Sequence, residues 1–228
     1  MITVHHLENS RSQRILWLLE ELELEYDIRK YRRDPVTNLA PPELLALHPL
    51  GKAPVVTDGE HTLAESGAII EYLVDTYGQG RLRPNAGTPA ALAYVYWLHY
   101  AEGSFMPLML LSLIVGRIET APMPFFAKPI AKGIVAKIRG GYLDANVKRN
   151  IEFLESSLQH SPWFCGDELT AADIQMSFAV DAAAVRALSG GAYPNLSAFL
   201  ERMRARPAYQ RAIEKGGPYA LLGPSTKK

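Results

Sequence analysis

The 228-residue chain contains a single cysteine, Cys165. One thiol forms no internal disulfide and supplies no CxxC redox or zinc motif. Between Phe164 and Gly166, Cys165 reads as a small buried hydrophobe rather than a nucleophile. The chain also lacks a basic start followed by an apolar run, so no secretory leader is expected. Its greasiest stretch, residues 105–115, falls short of the roughly 20 apolar residues that cross a bilayer. A soluble, cytoplasmic protein with no membrane partner is the expectation. Net charge is missing too: 24 Lys and Arg against 24 Asp and Glu leave zero, without the basic excess of a nucleic-acid footprint. Neighbours on a strand point to opposite faces, so His5 and His6, one ring inward and one outward, cannot share a metal ion; no metal site is expected.

The chain is 48% hydrophobic and long enough for two domains. Its charge is unevenly spread. Residues 1–84 carry 9 Lys and Arg against 13 Asp and Glu, and residues 85–228 carry 15 against 11, so the halves are −4 and +4. Gly78, Gly80, Pro84, Gly87 and Pro89 punctuate a linker over 79–89. Before it, alternation and helical periodicity predict a strand over 2–7, a helix over 10–24, a strand over 25–31 and a short helix over 42–47. A hairpin around Gly59 and a helix from residue 66 follow. Beyond the linker the strand signals vanish. Helices are predicted over 90–104, continuing through a kink at Pro107 to 118, and over 125–138 with a bend at Pro129. Further helices follow over 142–160, 170–188, 195–204 and 207–215, and a loose end over 225–228. Thr170 and Asp173 form a capping motif ahead of an apolar run, a structural feature.

Residues 50–66 hold the most informative pattern, Leu-Gly-Lys-Ala-Pro-Val-Val, a turn at Asp58-Gly59-Glu60, then His-Thr-Leu-Ala-Glu-Ser. Pro54 opens a strand and donates nothing to its ladder, leaving the main chain of Ala53 free to pair with something extended. Glu65 and Ser66 open an amphipathic helix, where a hydroxyl and unpaired N–H groups make a carboxylate site. An extended backbone beside a carboxylate pocket describes a receptor for a small acidic peptide.

This arrangement resembles the glutathione site of the cytosolic glutathione S-transferases. The order of elements over residues 1–78 is similar to the thioredoxin-like βαβαββα half of that family. The remainder, 90–228, matches its all-helical half in helical content and in the capping motif at Thr170. The resemblance implies glutathione as co-substrate, with no other cofactor. Ala53, beside Pro54, would pair main chain to main chain with the cysteinyl unit, while Ser66 would hold the γ-glutamyl carboxylate and Glu65 its ammonium. Lys52 would meet the glycyl carboxylate, or else stand as a solvated surface lysine.

Glutathione chemistry needs a thiolate, which a donor aimed at sulfur and a helix N-terminus favour. The turn from the first strand into the first helix reads Glu8-Asn9-Ser10-Arg11-Ser12-Gln13-Arg14. Theta-like, serine-type transferases place a serine here four residues before an arginine, so the resemblance implies Ser10 as the catalytic donor. Ser10 and Gln13 also spell a capping box, and Asn9, Ser12 or a main-chain N–H are alternative donors. Arg11 is a lesser candidate for contact with the peptide. The aromatic and methionine face of Tyr94, Trp97, Tyr100, Phe105, Met106 and Met109 is expected to be core or subunit interface, one edge lining the electrophile pocket.

The function so implied is attack of glutathione thiolate on a hydrophobic electrophile, or reduction of an organic hydroperoxide, by a homodimer. A non-catalytic binding or regulatory module of the same fold is the alternative, as in translation elongation factor gamma subunits and stringent starvation proteins. A thiol–disulfide oxidoreductase is disfavoured because no cysteine stands near Ser10.

Overall fold

The computed structural model describes residues 1–37, 39–187, 192–217 and 219, with the backbone alone at 186 and 187. Its first part holds strands β1 (Ile2–Leu7), β2 (Tyr26–Tyr31), β3 (Val55–Asp58) and β4 (His61–Ala64), with helices α1 (Ser12–Glu21), α2 (Pro42–Leu47) and α3 (Ser66–Tyr77). The sheet order is β2-β1-β3-β4. β1 runs parallel to β2, with Val4 opposite Ile28, and antiparallel to β3, with Val4 opposite Val56. This is the thioredoxin-like arrangement.

Helices cover both faces of β1. Ile2 and Val4 join the main core with Ile15, Leu16, Ile69 and Ile70, while Leu7 meets Tyr31 and Leu44 on the other side. Both histidines are therefore buried, contrary to the expectation of one outward ring. His5 Nδ1 lies 2.9 Å from the Tyr31 hydroxyl and His6 Nδ1 2.9 Å from the Ser12 hydroxyl. α1 is shorter than its periodicity predicts. Arg11 is its N-cap, and a left-handed Glu23 (φ 56°) follows its end. The capping box does not form: the Ser10 hydroxyl accepts from the N–H of Ser12, the first residue of α1, rather than from that of Gln13.

Beyond residue 88 every element among the described residues is helical. α4 (Pro89–Tyr100) and α5 (Met106–Thr120) are joined by a π-helical turn, Ala101–Phe105, closed by an N–H from Met106 to the Ala101 carbonyl. The kink anticipated at Pro107 is thus a change of helical register just before it. The joined helix, Pro89–Thr120, has 32 residues and contains an 18-residue stretch of mean hydropathy 1.4, enough by length and composition to cross a bilayer. The count over 105–115 took in only part of this helix. Tyr94, Trp97, Tyr100, Phe105, Met106 and Met109 all lie in the protein's own core, so they form no surface patch.

α6 (Lys128–Ile138) starts later than predicted and is not bent at Pro129, which sits in its first turn, where a missing N–H costs nothing. A second π-helical turn, Arg139–Leu143, links it to α7 (Asp144–Ser157). α8 (Ala171–Ala187), α9 (Pro194–Arg204) and α10 (Pro207–Gly216) are the remaining elements among the described residues. Residue 188 and the tail 225–228 lie outside the described residues. At the start of α8, Asp173 accepts from the main-chain N–H groups of Phe164 and Thr170 and from the Thr170 hydroxyl, each at 2.8 Å. α10 returns to α1: Arg211 and Lys215 pair with Glu20, Arg206 pairs with Glu21, and Trp17 meets Tyr209 edge-on at 5.3 Å.

Candidate active site

A cleft of about 300 Å³ opens where the ends of β3 and α3 face α5. Lys52, Ala53, Pro54, Glu65, Ser66 and Arg11 line it, with His48, Leu50, Ala64, Glu102 and Leu110. Six of the residues singled out in the sequence thus converge. Ser10 and Asn9 are not part of the lining.

The first wall is made by the main chain. Gly51 has a φ of 55°, and a Cβ there would lie 2.7 Å from Leu45 Cδ2. The left-handed backbone and the approach of Leu45 favour glycine at that turn, which delivers Lys52 and Ala53 to the cleft. The Ala53–Pro54 bond is cis. Glu65, exposed, is the N-cap of α3 at φ 69° and ψ 119°, a backbone conformation that costs of order 1–3 kcal/mol in a non-glycine residue. Among the described residues no side chain caps α3. Its first N–H groups and the buried Ser66 therefore face the cleft with the positive end of the helix.

The second wall is made of charge. Arg11 Nε donates to both Glu102 oxygens at 2.9 Å, and the Arg14 guanidinium pairs with Glu102 Oε1 and donates to the Gln175 carbonyl. Arg14 is fully buried. Phe178 sits beneath both guanidinium groups, 5.4 Å from Arg11 and 5.7 Å from Arg14. Burial alone would raise the Glu102 carboxyl, but Arg14 and Arg11 together outweigh it and hold the group below its ordinary value. Two guanidinium groups on one carboxylate leave this wall with a net charge of +1 beside the start of α1. Glu102 reaches the network from the π-helical turn, the kind of register break that recurs at functional sites.

Ser10, buried, is occupied behind this wall. Its hydroxyl oxygen lies 2.7 Å from that of Ser12, whose oxygen lies 2.9 Å from His6 Nδ1. Burial, then Lys30, lowers the His6 pKa to about 4 against the pull of the Gly216 main chain, so the ring is neutral at pH 7. The Ser12 hydroxyl also reaches the Leu7 carbonyl at 3.3 Å, so Ser10 is engaged by Ser12 at the end of β1 rather than lining the cleft. Asn9, exposed and left-handed at φ 50°, stands at the turn itself. Cys165 lies apart, half-buried and free, its thiol pushed up to about 12 by burial.

Sequence reasoning missed Glu102 and Leu110. Glu102 left one signal: it is the only acid between Glu71-Asp75 and Glu119, set in an aromatic, apolar helix. A carboxylate in such a setting needs a partner.

Two family profiles match: Glutathione S-transferase, N-terminal domain, over residues 1–75, and Glutathione S-transferase, C-terminal domain, over residues 142–207. Glutathione S-transferase 3 of Schizosaccharomyces pombe is 38% identical over 216 residues, covering 94% of this chain and 88% of the yeast one. Glutathione S-transferase 1 of Saccharomyces cerevisiae is 33% identical, covering 94% and 95%. A crystal structure of a glutathione S-transferase from Actinobacillus pleuropneumoniae, 38% identical, superposes with a TM-score of 0.82 over 98% of this chain and 96% of that one. The chain belongs to the glutathione S-transferase family of enzymes.

Proposed function

We propose that glutathione lies along the cleft with its γ-glutamyl end on α3 and its thiol at the β1–α1 turn. The convergence of Lys52, Ala53, Pro54, Glu65, Ser66 and Arg11 on one cavity carries this reading. Ser66 and the free N–H groups of α3 take the γ-glutamyl carboxylate, Glu65 its ammonium, the Ala53 main chain the cysteinyl unit and Lys52 the glycyl carboxylate. Arg11, fixed by Glu102, and the Asn9 amide lower the thiol pKa, and Ser10 holds the turn through Ser12 and His6. The thiolate then attacks an apolar electrophile: a carbon–sulfur bond forms and the leaving group departs with its electron pair. In the peroxide reaction, two glutathiones and one hydroperoxide give glutathione disulfide, an alcohol and water. Leu110 supplies apolar surface for the second substrate.

Residues 1–78 and 90–228 act in this reading as two domains joined by 79–89, in a cytoplasmic homodimer. The apolar surface available to a second subunit is Leu92, Val95 and Tyr96 on α4, in place of the aromatic residues now known to be core. Calorimetric titration with glutathione tests the site. No binding would favour the non-catalytic module, and a 25 kDa species in sedimentation would remove the dimer alone.

A further inference from the structure

We propose that the connection after α5 and the helix α6 form a docking face for an anionic lipid surface. From residue 121 to residue 143 the chain has four cations, Lys128, Lys132, Lys137 and Arg139, and no acid. The two nearest acids are spent on Arg139: Glu119 Oε2 lies 2.7 Å from it and Asp144 Oδ1 3.7 Å. Lys128, Lys132 and Lys137 are exposed and form no ion pair among the described residues.

Between these lysines the surface is apolar to an extent that solvent alone does not explain. Phe125 is 84% exposed and Phe126 65%, their rings edge to face at 5.7 Å. Ile130 and Ile134, one turn apart on α6, are 66% and 54% exposed. α6 buries one residue fully, Val135, so the core uses only one edge of it. On α6 Lys137 stands beside Ile130 and Ile134, with Lys128 and Lys132 on the other flank; apolar side chains with cations on the same short helix are what a helix lying in the headgroup region presents. Eleven residues at 1.5 Å each reach about half the hydrocarbon thickness, so α6 lies on a bilayer and does not cross it.

Charge decides between occupants. A two-fold axis through this patch would pair it with its own copy, which offers no acid between residues 121 and 143 to the three unpaired lysines. An anionic headgroup layer complements them instead, with about fivefold gained in partition per lysine near the surface. The face stands on α6, and its residues are absent from the glutathione cleft, so it is independent of the function proposed above. It departs from the sequence-based expectation of no membrane partner, which weighed only spanning segments.

The test is cosedimentation of the full chain with vesicles of phosphatidylglycerol and phosphatidylcholine, against phosphatidylcholine alone. The protein should partition onto the anionic vesicles, and less so as salt rises past ~0.15 M. Phe125→Ser/Phe126→Ser should lower the partition at least about tenfold. Lys128→Glu/Lys132→Glu/Lys137→Glu should lower it roughly 100-fold. Unchanged glutathione affinity in both variants shows that they fold. Failure of the parent protein to bind anionic vesicles, or an unaltered partition in the phenylalanine variant, overturns the proposal. So does conversion of a dimer to a monomer by that variant, which would make the face a subunit contact.

Discussion

The two walls of the cleft do similar work with different materials. On the β3–α3 side the chain presents its own backbone: the main chain at Ala53, just ahead of β3, and the uncapped start of α3 at Glu65 and Ser66. On the opposite side Arg11, Arg14 and Glu102, from elements about ninety residues apart, are tied into one ion cluster over Phe178. A backbone wall is set by local conformation and survives most side-chain changes. A charged wall depends on every partner, because each guanidinium or carboxylate left alone must be solvated or stays buried at a cost. In the function proposed above, the first wall recognises the constant peptide and the second tunes its thiol.

The largest effect should come from removing the carboxylate that the charged wall shares. Glu102→Ala leaves Arg14 buried without its partner and should cost about 3 kcal/mol of stability by urea denaturation, as well as slowing conjugation. A variant as stable as the parent would erase the distinction between the walls. Behind that wall, His6 gives the cluster a pH signature. Its folded pKa, about 4, lies below the ordinary 6.5, so the stability it confers is complete above 6.5 and is lost as pH falls through about 4. His6→Gln should remove about 2–3 kcal/mol of the stability difference between pH 7 and 4.5, read from denaturation at each pH.

Ser66→Ala addresses the backbone wall. It should weaken glutathione binding by about 1.5–3 kcal/mol in calorimetry and leave thermal stability nearly unchanged. An unaltered dissociation constant would take Ser66 out of the site. Arg11→Ala separates binding from activation. The bound thiol should titrate about one pH unit higher by thiolate absorbance, while Ser10→Ala shifts it less. The reverse ranking would return the donor role to Ser10. The smallest effect lies far from either wall: Thr170→Ala, which removes a hydroxyl from Asp173, should cost about 1 kcal/mol of stability with kinetics unchanged.

Local patterns announced every strand and the starts of α2 and α3, since alternation, Pro42 and the Glu65-Ser66 pair act through neighbouring residues alone. The helix signals were equally local, and they erred where a competing local contact or a register change intervened. α1 lost its capping box to contacts among His6, Ser10 and Ser12, within one turn of chain from the end of β1. The aromatic face of α4 was left open between core and subunit interface, because periodicity shows which residues share a side of a helix, not what covers that side. α8, together with Phe153 and Phe164, covers it.

By itself the sequence determined the β1–α3 order and the residues of the backbone wall, because main-chain geometry at glycine, proline and helix starts is written within a few positions. Only the tertiary structure decided that Ser10 is buried, that Glu102 closes on Arg11 and Arg14, and that Phe125, Phe126, Ile130 and Ile134 remain uncovered. Burial and ion pairing depend on which segments meet in space, and no short pattern of residues encodes that meeting.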